Sequence, residues 1–203
     1  MKYEKFYTLG DWRRLELTRL KVIIPEESSV EFECISRGAL VLCYSHWEGY
    51  FNDLTEELFS SISKHDLALR SMSPGFRCLY LRAEMSRLIG SRINDDSIID
   101  FLNAYCRVGG AATDPYLELV KSRSSLSWTR LKIVFDIYGL ASLQLERERV
   151  FIDHRLSRIR HEIAHGNAPR LNRAMVVDQI DKTLSLLDYL VEYFYEVRKT
   201  LIG

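Results

Sequence analysis

The chain has 203 residues, of which 47% are hydrophobic, and its 28 basic side chains balance 28 acidic ones. That length and apolar content suit one domain over residues 1–203 with a core of its own. The cancelling charges exclude the strongly basic body of a general nucleic-acid coat, so any nucleic-acid site must be local.

The opening "MKYEKFYTLGDWRRLELTRLKVII" is too charged for a secretory signal. No apolar stretch approaches the roughly 18 residues of a membrane span. A soluble, cytoplasmic protein without membrane contact is expected. Within this stretch "LKVII" is the one candidate strand, and residues 1–25 are otherwise a candidate N-terminal extension without visible chemistry. Cys34, Cys43, Cys78 and Cys106 form no C-x-x-C pair and lie in or beside apolar runs, the pattern of buried, reduced thiols.

From residue 28 the sequence turns helical. Ser28, three before Glu31, has the spacing of a capping box. Behind it Phe32, Ile35, Ala39, Leu42, Trp47, Tyr50, Leu54 and Leu58 recur mostly three and four apart, which predicts one long amphipathic helix. A second helix is expected from Pro74 to Gly90, and a third from "NDDS" to Tyr105. "VGGAATDP" reads as a loop. "SWTRLKIVFDIYG" is a short helix capped by Ser127 and stopped by Gly139. Residues 146–165 are expected to form one helix, and the last helix runs from about Asn172 to Leu201, with Val176, Ile180, Leu184, Leu187, Val191 and Phe194 on its stripe. The fold class is therefore all-α, a helical bundle with additional helices in the middle of the chain.

The helix over 146–165 ends in "RHEIAHGN", residues 160–167. At about 100° per residue, Ile152, Leu156, Ile159 and Ile163 face the core, while His154, Arg158, His161 and His165 share the opposite side. Two motifs overlap here. His161, Glu162 and His165 spell H-E-x-x-H, in which two imidazoles one turn apart share a zinc ion and the glutamate acts as base. Gly166 and Pro169 end the helix at once, however, and no third ligand follows in sequence. The acids of the last helix, Asp178, Asp181, Asp188, Glu192 and Glu196, lie mostly away from its apolar stripe and are expected in solvent. No metal and no cofactor is expected, and a zinc peptidase is the weakest of the functional readings.

The second motif pairs Arg160 with His165. "LSRIRHEIAHGNAP" resembles the closing motif of the HEPN superfamily, commonly R-N-x-x-A-H-G, with Arg160 as the arginine, His161 as the polar residue and Ala164, His165 and Gly166 as the A-H-G. "GALVLCYSHWEGYFNDL", with Trp47, Glu48 and Gly49, resembles the first long helix of small bacterial HEPN nucleases, and "TRLKIVFDIYGL" resembles the segment before their motif. The resemblance covers most of residues 30–200 and departs from the common pattern in placing His161 where asparagine is commonest. It implies an HEPN-type antiparallel helical bundle and a metal-independent endoribonuclease that leaves a cyclic phosphate. It also implies a homodimer with a composite active site, of the toxin or defence type, for which a neutralising antitoxin is a conceivable partner.

The residue types suit that chemistry. An imidazole such as His165 can exchange a proton near neutral pH when a ribose 2′-OH attacks its own phosphodiester. Arg160 stays charged and offers a planar fork of donors to phosphorane oxygens. His161 would contact the phosphate or orient the others, and Glu48 would pair with Arg160 from the first long helix. Asn167 has a supporting place beside the motif. Arg155, Arg158 and Arg170, with Arg173, outnumber Asp153 and Glu162 and give a positive surface for RNA phosphates. One tension is geometric: Arg160 and His165 stand about 140° apart on an ideal α-helix. A frayed last turn or a second copy of the motif would resolve it. The alternative function is a catalytically silent HEPN dimer that binds nucleotides or partners.

Overall fold

Long segments free of breakers and striped with apolar residues fold as helices wherever the chain is described. The computed structural model describes residues 2–65, 72–89 and 125–202, together with positions 99, 102, 103, 120 and 121. The elements are α1 (Lys2–Thr8), α2 (Asp11–Ile23), α3 (Phe32–Ser63), α4 (Pro74–Ile89), α5 (Trp128–Tyr138), α6 (Leu143–Arg147), a π-wound segment (Phe151–Arg158) that continues into α7 (Ile159–Ala164), and α8 (Arg173–Ile202). The helix expected up to Tyr105, the "VGGAATDP" loop and Cys106 lie largely or wholly outside the described residues.

Four of these elements form the bundle that positions the motif. Phe51 meets Phe194 with ring centres 5.7 Å apart, edge to face, so α3 and α8 form the central pair. Arg13 reaches Asp53, and Glu16 reaches His46, which sets α2 antiparallel to α3. Arg160 lies over Tyr44, while Gln179 bonds Arg155, so the motif segment descends antiparallel to both α3 and α8. α3 and α8 consequently run parallel, which requires the long crossover that α4 to α6 help to supply. The core collects the predicted stripe residues Phe32, Ala39, Trp47, Tyr50, Leu54 and Leu58 of α3 with Val176, Ile180, Leu187, Val191 and Phe194 of α8, all buried. No described helix is long and apolar enough to cross a membrane.

Several local expectations need correction. "LKVII" is not a strand: residues 20–23 end α2 and Ile24 is its C-cap, while buried Arg13 of α2 reaches Asp53 of α3. Lys21 and Arg14 pair with Asp181 and Asp188 of α8, 2.7 and 2.9 Å away, so α2 is built into the bundle. Ser28 does not cap α3. The chain makes a turn first, with Ser29 N–H donating to the Glu26 carbonyl, and α3 begins at Phe32 without a side-chain cap. Of the thiols, Cys43 is buried but Cys34 and Cys78 are exposed, because they fall on the outward faces of α3 and α4. By contrast Ser127 accepts from the Arg130 N–H, and Gly139, at φ 75°, closes α5 in the left-handed conformation that glycine adopts without strain.

The motif segment also departs from a uniform α-helix. It breaks at Glu148 and winds as a π-helix over Phe151–Arg158. A cause is visible in the packing. Gln179, fully buried on α8, donates its Nε2 to the Arg155 carbonyl at 2.9 Å, occupying an acceptor that a regular helix would keep for itself. Asp153 Oδ1 accepts the Trp128 N–H at 2.8 Å and pins the same segment to the start of α5. The wider winding buries Phe151 beside the expected Ile152, Leu156 and Ile159, and Ile163 is half-buried.

Candidate functional site

The end of α7 is fixed by backbone hydrogen bonds before any functional side chain enters. Gly166 N–H donates to the Ile163 carbonyl at 3.0 Å and Asn167 N–H to the Glu162 carbonyl at 2.9 Å, a Schellman closure that needs the left-handed φ of 81° at Gly166. His165 is thereby the C-cap, at φ −92° and ψ 13°, and has left the α wheel. Its ring stands 4.2 Å, centre to centre, from that of His161, tilted by 55°, and both residues are exposed. His154 and Arg158 share the exposed side with them, as the helical wheel anticipates.

Arg160 faces the other way. Its guanidinium lies 4.7 Å from the centre of the Tyr44 ring, a cation–π contact on a buried aromatic of α3. The Tyr44 hydroxyl donates to Glu48 Oε1 at 3.0 Å and accepts the Leu126 N–H at 2.8 Å. Burial raises the Tyr44 phenol above its ordinary range, so it remains a protonated donor. Glu48 therefore meets Arg160 through the Tyr44 ring, not as the direct ion-pair partner that the sequence suggests. Tyr44 escaped sequence reading because its position falls between the stripe residues, and only the fold puts it under Arg160.

The remaining candidates are divided. Arg158 Nε binds Glu162 Oε1 at 2.9 Å on the surface. Arg155 is half-buried and turns towards the Met175 carbonyl, 3.5 Å from its Nη2. Arg170 is exposed, whereas Arg173 is tied to the Ile24 carbonyl and to Glu26. Asn167 lines an open groove of about 650 Å³ with Ile163, Gly166, Val41, Leu42 and Arg37, alongside the motif. A second cavity, of about 450 Å³ beside Tyr189, Glu192 and Glu196, contains no motif residue.

Among the described residues nothing completes a zinc site around His161 and His165. Glu162, the base of the H-E-x-x-H reading, is held by Arg158. Among the described residues no group of three His, Cys, Asp or Glu could hold a metal ion. Asp181 and Asp188 of α8 are engaged by Lys21 and Arg14. What stands at the end of α7 is an exposed imidazole pair next to an arginine that makes no ion pair among the described residues.

No curated protein and no solved structure matches the chain significantly. The family model RiboL-PSP-HEPN matches residues 10–196, a span that begins just before α2 and includes the motif and most of α8. With an all-α fold and a match across most of its length, the chain belongs to the RiboL-PSP-HEPN family.

Proposed function

We propose that the protein is a metal-independent endoribonuclease in which His165, His161 and Arg160 act on the scissile phosphodiester. The observation that carries this reading is the exposed His161–His165 pair, with ring centres 4.2 Å apart at the capped end of a helix. His165 takes the 2′-OH proton as the 2′-oxygen attacks phosphorus, and the product is a cyclic phosphate. Arg160 supplies positive charge to the phosphorane oxygens. Exposed Arg170, a few residues beyond the motif, favours a polyanion. Unstacked RNA is the preferred substrate, since an in-line attack is harder within a duplex.

Arg160 resting on Tyr44, while His161 and His165 face outwards, favours a site completed by a second copy of the chain. Two motif segments facing each other across a twofold axis would offer one copy's histidines to phosphate held by the other copy's arginine. A toxin or defence role, with a protein antitoxin, is the biological setting in which such a nuclease would be kept in check. Purified protein should cleave RNA in the presence of a chelator, and Arg160→Ala or His165→Ala should abolish cleavage with circular dichroism unchanged. Cleavage that survives both substitutions would refute the assignment.

A further inference from the structure

Transesterification of RNA needs two proton transfers on opposite sides of phosphorus: one away from the attacking 2′-oxygen and one to the departing 5′-oxygen. One histidine can serve only one side at a time. Around the motif the carboxylates are engaged. Glu162 accepts from Arg158, Glu48 accepts from Tyr44, and Asp153 accepts the Trp128 N–H. Arg160 packs inwards on Tyr44. His154 lies two turns earlier, within the π-wound segment, whereas His161 and His165 touch each other at the exposed end of α7.

We infer that His161 is the general acid of the reaction, paired with His165 as general base; this rests on the ribonuclease reading and deepens it. As the bond from the 2′-oxygen to phosphorus forms, the 2′-OH proton passes to a ring nitrogen of His165. As the bond from phosphorus to the 5′-oxygen breaks, its electron pair leaves with that oxygen, which takes a ring proton from His161. One proton is gained and one given up, so the pair ends with its protons exchanged and solvent resets it. The products are a 2′,3′-cyclic phosphate and a 5′-hydroxyl. At rest the rings are 4.2 Å apart, too close to hold a phosphate between them, but both side chains are exposed and can turn to its two sides, while the Schellman closure at Gly166 keeps His165 one turn from His161. The histidine at position 161, where asparagine is commonest in the motif, then has a chemical meaning: it adds a group that can give up a proton.

The test uses leaving groups of different need. Wild type, His161→Gln, His161→Asn and His165→Gln are assayed on an RNA oligonucleotide and on a ribonucleoside 3′-(4-nitrophenyl phosphate), whose leaving group departs without a proton. Both histidines are exposed, so the variants should fold, and circular dichroism checks this. The His161 variants should lose about 100-fold or more on RNA yet stay within a few-fold of wild type on the nitrophenyl ester, while His165→Gln loses both. Equal loss on the two substrates, or no loss on RNA, would overturn the general-acid role while leaving the ribonuclease reading in place. Wild type that cleaves neither substrate would overturn both.

Discussion

The Arg160 guanidinium lies 4.7 Å from the centre of the Tyr44 ring, and the hydroxyl of that ring joins Glu48 at 3.0 Å to the Leu126 N–H at 2.8 Å. Tyr44 of α3 thus joins the motif segment to Leu126, just before α5. Tyr44→Phe keeps the ring beneath Arg160 but leaves the Leu126 N–H without its acceptor, at a cost of about 1–3 kcal/mol. Tyr44→Leu removes the aromatic face as well. Urea unfolding should show both variants destabilised, whereas RNA cleavage should fall about tenfold or more only in Tyr44→Leu, in line with the worth of a partly desolvated cation–π contact. Equal activity loss in the two would mean that the ring does not position Arg160.

Gly166 tests the cap that places His165. A Cβ at this position meets nothing within 4 Å, so only the φ of 81° opposes a side chain. Gly166→Ala should lower stability by about 1–2 kcal/mol, and Gly166→Asn by less, since asparagine tolerates the left-handed region better. Thermal unfolding measures the difference, and an unchanged midpoint in Gly166→Ala would contradict the assigned conformation.

Two glycines of α3 should respond with opposite sign. At Gly38 an added Cβ meets nothing within 4 Å, so Gly38→Ala should stabilise the protein by about 0.5–1 kcal/mol through helix propensity. At Gly49 a Cβ would come within 2.8 Å of the Arg13 guanidinium, which is buried and bound to Asp53 at 2.6 Å. Displacing that ion pair outweighs the propensity gain, and Gly49→Ala should destabilise by about 1–3 kcal/mol. Chemical denaturation of the two variants side by side checks the contrast.

Acid should loosen the contact between α2 and α3. His46 is buried against Trp12, whose ring centre is 5.2 Å away, and faces Glu16, with Nε2 to Oε2 at 2.6 Å, and Arg13. Neither ring nitrogen has a well-directed hydrogen bond. Burial lowers its pKa below the ordinary 6.5, Glu16 opposes this and Arg13 adds to it. The folded state therefore binds this proton less readily than the unfolded chain does. The contribution of His46 to stability is fully present above pH 6.5 and declines as pH falls from there towards the lowered folded value. Melting temperatures measured from pH 7.5 downwards should drop more steeply in wild type than in His46→Gln.

Helices and their stops were largely legible in the sequence, because capping and glycine termination are local. Ser127, Gly139 and Gly166 act as their neighbours dictate, and Asn172 Oδ1 accepts the Met175 N–H at 2.8 Å at the start of α8. The exposed pairing of His161 and His165 followed from their spacing. Long-range causes were not legible. The π-winding before the motif depends on Gln179, some twenty residues on, and the direction of Arg160 depends on Tyr44, more than a hundred residues earlier. Residues 1–25 read as an extension in sequence because Asp53, Asp188 and Asp181, the partners of Arg13, Arg14 and Lys21, lie far along the chain.

His161, His165 and Arg160 should cleave RNA without a metal. The most direct measurement is to incubate the protein with a defined single-stranded RNA in excess chelator and map the new ends by mass spectrometry. Wild type should yield 2′,3′-cyclic phosphate ends and His165→Ala none. Loss of cleavage on chelation, or cyclic ends produced equally by His165→Ala, would contradict the account.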